Sequence, residues 1–170
     1  VLIALATQNN SRTVDEPEPT SNLIPLSEAV PILDDTAHIE DPPYIYLSSE
    51  DKEEFATLVY LEAGIESYEC KLGVASVVVN RMTMYGQTFD EVVYAPNQFS
   101  PASLIPYYEP TQECVDAINE IIQHGPTIPE YVTFFRADHY FDWGDRYSNY
   151  MCIDNTYFSY DVNLRSQWEL

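Results

Sequence analysis

From residue 48 onward, apolar positions recur at helical spacing, whereas the stretch before it holds no sustained period. Phe55, Leu58 and Val59 share one face behind the capping-box pattern Ser48-x-x-Asp51. With Gly64 as a stop, they predict a helix through roughly Ala63. The segment from Cys70 to Met82 carries Leu72, Val74, Ala75, Val77, Val78 and Val79 and is apolar nearly all round. Its length favours a buried helix, although a valine run is also compatible with a strand. Thr88-x-x-Glu91 caps a short helix that Pro96 ends. Thr111 opens another, where Cys114, Ala117, Ile118, Ile121 and Ile122 form one stripe and Gly125 closes it. Beyond Pro129 the pattern turns strand-like, at Tyr131 to Phe135 and at Asn155 to Tyr160. Helices first and a small sheet last make an α+β pattern.

One charged residue interrupts the first stripe. Glu62 lies seven positions after Phe55, four after Leu58 and three after Val59, so it sits on the apolar face. Desolvation there favours the protonated carboxyl, and the negative end of the helix dipole near Gly64 pushes the same way. A glutamic acid still protonated near neutral pH can donate a proton to a glycosidic oxygen. The plain alternative is a buried glutamate satisfied by a backbone group or by Arg81.

Residues 7 to about 46 read as a disordered acidic, proline-rich linker, which sets two regions, 1–46 and a folded domain over 47–170. Pro17, Pro19, Pro25, Pro31, Pro42 and Pro43 break every period, and the acidic residues among them are opposed by Arg12 alone. Such a segment cannot bury enough apolar surface to offset its ordering entropy. The opening Val1-Leu2-Ile3-Ala4-Leu5-Ala6 ends in the small-x-small pattern of a signal-peptidase site, which suggests a secreted or envelope protein, anchored or processed at this end. No other run approaches the length of a membrane span.

Charge and composition narrow the partners. A net charge of −21 opposes binding to nucleic acid and to anionic membranes. Fourteen tyrosines suit the lining of a groove for a polar, sugar-like ligand, though they also simply fill surface and core. Of the three cysteines, Cys70 and Cys114 each open a predicted core helix, so apposed helix starts would bring them within disulfide range and leave Cys152 free. No Cys-x-x-Cys spacing suggests zinc. Asp138, His139, Asp142 and Asp145 would suit calcium better, but a solvated acidic loop is the simpler reading, and no metal or other cofactor is expected.

The segment Val59-Tyr60-Leu61-Glu62-Ala63-Gly64-Ile65-Glu66 resembles the Glu-Ala-x-Gly-Glu signature of the SleB/CwlJ-like cell wall hydrolases, the spore-cortex-lytic type. Gly73 to Arg81 resembles that family's next helix, which ends in Asn-Arg. Phe89 to Tyr94, Gln98-Phe99-Ser100-Pro101, the aromatic pair Phe134-Phe135 and the closing Asn155-Thr156-Tyr157-Phe158 follow in the family's order, covering about residues 50 to 160. The resemblance implies a compact lysozyme-like domain, active as a monomer, that cuts the β-1,4 bond between N-acetylmuramic acid and N-acetylglucosamine in peptidoglycan. Glu62 would be the acid/base of a lytic transglycosylase or a muramidase. Tyr60, Glu66, Asn80, Gln98, Phe99, Ser100, Phe135 and Tyr157 are the expected substrate-binding positions.

Two positions depart from the family. Arg136-Ala137 stand where it often has Asn-Pro, and its histidine near the last strand is replaced around Thr156. Both put subsite details, and spore cortex as target, in question. A carbohydrate-binding module without catalysis would account for the tyrosines and the acidity but not for Glu62 on an apolar face. A Cys/His amidase has cysteines and histidines to draw on (His38, His124 and His139), yet no nucleophile signature surrounds any cysteine.

Overall fold

The computed structural model describes residues 41–137 and 146–165, which belong to one unit, Glu40–Leu170. The predicted signal, all but the end of the predicted linker, and Asp138, His139, Asp142 and Asp145 lie outside the described residues. The elements run α1 (Ser49–Ala63), α2 (Tyr68–Tyr85), α3 (Phe89–Val93), a 3-10 turn (Ala102–Tyr107) and α4 (Gln112–His124). Then come β1 (Phe134–Ala137), β2 (Tyr147–Ile153), β3 (Thr156–Asp161) and a final turn, α5 (Val162–Arg165). This is the expected α+β arrangement, helices first and a small antiparallel sheet last, with strand order β1-β3-β2.

The helix starts follow the sequence signals. Asp51 N–H donates to Ser48 Oγ at 3.0 Å and Ser48 N–H to Asp51 Oδ2 at 3.2 Å, closing the capping box of α1. Thr88 and Glu91 repeat that box at α3. The helix α2 starts earlier than expected, at Tyr68. Ser67 is its cap, accepting from Cys70 N–H, and Ser67 N–H in turn donates to Asp154 Oδ2 in the β2–β3 turn at 2.8 Å.

The core is the meeting of α1, α2 and α4. Phe55, Leu58 and Val59 of α1, Val74, Val77, Val78 and Val79 of α2, and Cys114, Ile118 and Ile121 of α4 are all sealed from solvent. The sheet closes one side by laying Phe158 of β3 against Gly73 of α2, where a Cβ would stand 2.5 Å from the ring. Lys71 is buried with them. Its ammonium donates to the Glu66 carbonyl and pairs with Glu113 Oε2 at 3.0 Å, tying the loop after α1 to the start of α4.

Two expectations are corrected here. The thiols of Cys70, Cys114 and Cys152 are all free, so the Cys70–Cys114 disulfide is not made. The two buried thiols have different surroundings: Cys114 Sγ accepts from Thr111 Oγ1 at 3.2 Å, while burial pushes the Cys70 thiol's pKa up to about 11. The second correction concerns the linker's end. Tyr44 and Ile45 N–H groups donate to the Gln123 and Ile122 carbonyls at 3.3 Å each, and the Tyr44 ring covers Gly125. Ile45 also packs on the core. Residues 41–46 therefore belong to the domain, because the last carbonyls of α4 have no partners within their own helix and this segment supplies them. A chain beginning at residue 47 should be less stable than one beginning at 41, by about 2 kcal/mol for two hydrogen bonds and one buried side chain. Paired urea titrations would measure it, and coincident midpoints would show that the segment contributes nothing.

Candidate active site

Glu62 occupies the last turn of α1, half-buried, with the core residue Ala63 beside it and no basic residue in that turn to offset the helix dipole. Its carboxyl makes no hydrogen bond and no ion pair among the described residues. Burial pushes its pKa up to about 7, and the Arg81 charge opposes that rise. A group so placed holds its proton up to neutral pH and can also give it up.

Arg81, near the end of α2, is almost wholly enclosed. Its Nε–H donates to the Thr133 carbonyl at 2.7 Å and its Nη1 to Gln98 Oε1 at 3.0 Å. The guanidinium lies 4.9 Å from the centre of the Phe99 ring and 5.4 Å from that of Phe134. It forms no ion pair with Glu62: the pairs among the described residues are Lys71–Glu113 and Arg146–Asp161. Burial lowers its pKa to about 10, while Tyr85 and Glu62 act to raise it. Beside it opens a cleft of about 470 Å³, lined by Arg81, Tyr85, Gln87, Glu91, Gln98, Phe134 and Tyr147 among others.

The structure sorts the expected substrate-binding residues. Gln98 and Ser100 are exposed, and Gln98 lines the cleft. Tyr60 is half-buried, its ring lying over Gly64 and 6.4 Å from that of Tyr108. Tyr157 sits under the Arg136 guanidinium at 5.3 Å. Glu66 is half-buried, and its carbonyl holds Lys71.

Two of the expected positions, Asn80 and Phe99, are corrected, while Phe135 is half-buried. Asn80 is fully buried, its amide donating to the Pro129 and Val132 carbonyls at 2.8 and 3.0 Å, so it ties α2 to the chain entering β1. Phe99 is buried beneath Arg81, and Phe135 stacks inward between Phe99 and Phe158. The neighbour Phe134 points the other way, into the cleft and against Tyr147 at 4.7 Å. Tyr85, Phe134 and Tyr147 are thus cleft residues that sequence reasoning missed. Strand alternation announces that one of Phe134 and Phe135 faces out, and only the pairing of Phe135 with Phe158 says which.

The model of a family described as cell wall hydrolase matches residues 65–159, more than half of the chain. The chain belongs to the cell wall hydrolase family. The matched span takes in Arg81, Gln98, β1, β2 and the first four residues of β3, and begins three residues after Glu62. Two solved structures share the hydrolase's fold. One is the catalytic domain of the Bacillus cereus SleB protein, 23% identical with a TM-score of 0.59 over 69% of this chain and 94% of that one. The other is the catalytic domain of the germination-specific lytic transglycosylase SleB from Bacillus anthracis, also 23% identical at TM-score 0.59, over 66% of this chain and 95% of that one. Among curated proteins no sequence matches significantly. Family membership makes the hydrolase an enzyme of cell-wall breakdown. No helix among its described residues is long and apolar enough to cross a membrane.

Proposed function

We propose that this cell wall hydrolase cleaves the β-1,4 bond between N-acetylmuramic acid and N-acetylglucosamine in peptidoglycan, acting as a lytic transglycosylase outside the cell membrane with Glu62 as its one acid/base. The observation that carries the reading is the Glu62 carboxyl itself: half-buried, without a hydrogen-bonded partner among the described residues, and with its pKa raised by burial to about 7. The description of the Bacillus anthracis neighbour as a lytic transglycosylase agrees with it.

The chemistry then runs in two steps on one side chain. Protonated Glu62 gives its proton to the bridging oxygen as the bond from that oxygen to C1 of the muramoyl residue breaks. The resulting carboxylate takes the proton from the muramoyl 6-hydroxyl while that oxygen bonds to C1, closing a 1,6-anhydro ring and restoring the acid. A hydrolytic enzyme uses a second carboxyl for water or for the sugar, set about 5 to 9.5 Å from the first. Among the described residues Arg81 is the ionisable group acting on Glu62 and no carboxylate does so, which favours the one-carboxyl route.

Mass spectrometry of muropeptides released from purified sacculi tests the proposal, with anhydro-muramoyl ends as the expected product. Reducing ends throughout would reject the lytic route, and released peptides without glycan cleavage would reject the bond. The pH profile tests the acid. The proton-donating form is the one that reacts, so kcat/KM should hold below pH 7 and fall above it, to about a tenth at pH 8. A profile flat from pH 6 to 9 would require a different proton donor.

A further inference from the structure

Seven lysines and arginines stand against 28 aspartates and glutamates in this chain, and the cations are answered unequally. Lys71 pairs with Glu113, and Arg146 with Asp161. Arg81 is 7% exposed and has no carboxylate partner among the described residues, although burying an unpaired guanidinium charge is costly. Its Nε–H and Nη1 donate to two neutral oxygens, the Thr133 carbonyl and Gln98 Oε1, and Nη2 donates to nothing among the described residues. The sealed polar side-chain atoms without a partner there are Asn80 Oδ1 and Thr133 Oγ1, so Nη2 is not sealed. The open space at this otherwise enclosed side chain is the cleft of about 470 Å³ that Arg81 lines. Glu91 lines it too, but its Oε2 accepts from Thr88 N–H at 2.9 Å and Thr88 Oγ1 at 3.2 Å, and it makes no ion pair with Arg81.

We propose that this cleft is a carboxylate-binding subsite, in which Arg81 Nη2 receives a carboxylate of peptidoglycan and Tyr85, Phe134 and Tyr147 wall the small apolar group that carries it. A fixed guanidinium with a free N–H lacks an anionic acceptor, and a charge-assisted hydrogen bond to a carboxylate supplies one. Thr133 and Gln98 already hold the other two nitrogens, so the guanidinium is oriented before the ligand arrives and little ordering is left to do. The net charge of −21, with Glu91 on the lining, disfavours a dianion such as phosphate and leaves a monoanion as the fitting ligand. Val92 and Ala95 extend the apolar wall, and the volume lies within the range of about 300–1,000 Å³ usual for small-molecule sites. Peptidoglycan offers such a carboxylate in two places. One is the terminal carboxylate of a peptide stem, next to an alanine methyl group. The other is the lactyl carboxylate of a muramic acid without a stem. The inference rests on membership of the cell wall hydrolase family and not on the role of Glu62.

The test is titration of the full chain with four probes, followed by NMR at the Arg81 Nε–H and the Gln98 side-chain amide. The probes are N-acetyl-D-alanyl-D-alanine, its C-terminal amide, N-acetylmuramic acid and N-acetylglucosamine. At least one of the two carboxylates should give saturable shifts, with the amide and N-acetylglucosamine weaker by about tenfold or more. Binding of the peptide acid alone assigns the site to stems, and binding of N-acetylmuramic acid alone assigns it to the lactyl group; either upholds the subsite. Arg81→Gln should abolish the preference for a carboxylate. Because that variant also removes a buried hydrogen-bonded group, Gln87→Glu on the exposed lining gives an independent check. Its added charge should weaken carboxylate binding by roughly three- to tenfold and leave the neutral probes unmoved. Equal affinity for acid and amide, no saturable shift with either carboxylate, or carboxylate binding unchanged in a folded Gln87→Glu protein would overturn the inference. Turnover of Glu62→Gln is read separately, so a protein that binds the carboxylates yet keeps its activity in that variant retains this subsite and loses the proposed acid.

Discussion

Glu62→Gln is expected to lower turnover on purified peptidoglycan by roughly 100- to 10,000-fold, the loss typical of removing a general acid, while leaving the protein more stable at pH 8. The second half of this expectation follows from the first. The folded protein holds the Glu62 proton to about pH 7, whereas an unfolded chain releases it near 4.5. The folded state therefore binds more protons between those values, and stability declines as pH rises from 4.5 to 7. Above pH 7 the cost is complete, on the order of 2 kcal/mol once partial exposure is allowed for. A neutral amide of the same shape avoids it. Melting the two proteins at pH 4 and pH 8 should show equal midpoints at the first and a gain of several degrees for the variant at the second. Glu66→Gln should behave differently, with turnover per folded molecule largely kept, because it is the Glu66 backbone that holds Lys71. A folded Glu62→Gln protein that digests sacculi at the parent rate would remove Glu62 from the mechanism. One with lower stability at pH 8 would make its carboxylate a structural partner instead.

The largest expected loss of stability lies at the contact between Phe158 and Gly73. Phe158 is fully enclosed, and its ring leaves no room for a Cβ on the facing glycine of α2. Phe158→Ala should cost about 3–5 kcal/mol for the lost burial and the cavity left behind, much of a small domain's stability. Gly73→Ala adds one methyl group against the same ring and should cost about 1–3 kcal/mol, even though alanine is the better helix former. The two effects should not add. In the double variant the new methyl group enters the space the ring vacated, so its cost shrinks or changes sign. Chemical denaturation of the four proteins measures the coupling, and strict additivity would show that the two residues are not in contact.

The first part of the site to be legible in the sequence is the proposed acid/base. The spacing of Glu62 from Phe55, Leu58 and Val59 places a carboxyl on an apolar face without any knowledge of the fold. Helix starts were legible for a similar reason, since Ser48, Thr88 and Thr111 satisfy backbone donors within three residues of themselves. What could not be read depends on distant partners. Asn80 looks like a polar residue able to reach a cleft until the Pro129 and Val132 carbonyls arrive 49 and 52 positions later to consume its amide. The strand Tyr147–Ile153 is half-exposed and interrupts its own pairing between Asn149 and Met151, so it carries neither clean alternation nor an apolar run. The thiol of Cys114 fell to the Thr111 hydroxyl, which no pairing argument from helix starts considers.

In the strand order β1-β3-β2, the last strand made is the middle one. The strands β1 and β2 do not pair with each other; each finds its hydrogen bonds on β3. During synthesis from the N-terminus, every helix of the main core is therefore complete while both earlier strands still lack their partner. The same late strand carries Phe158 to Gly73. Closure of the sheet, filling of the core and completion of the wall around Arg81 thus coincide with the arrival of residues 156–161. A chain interrupted before that point has its helices in place but neither a paired sheet nor a ring against Gly73, so the domain is finished only when its last strand arrives.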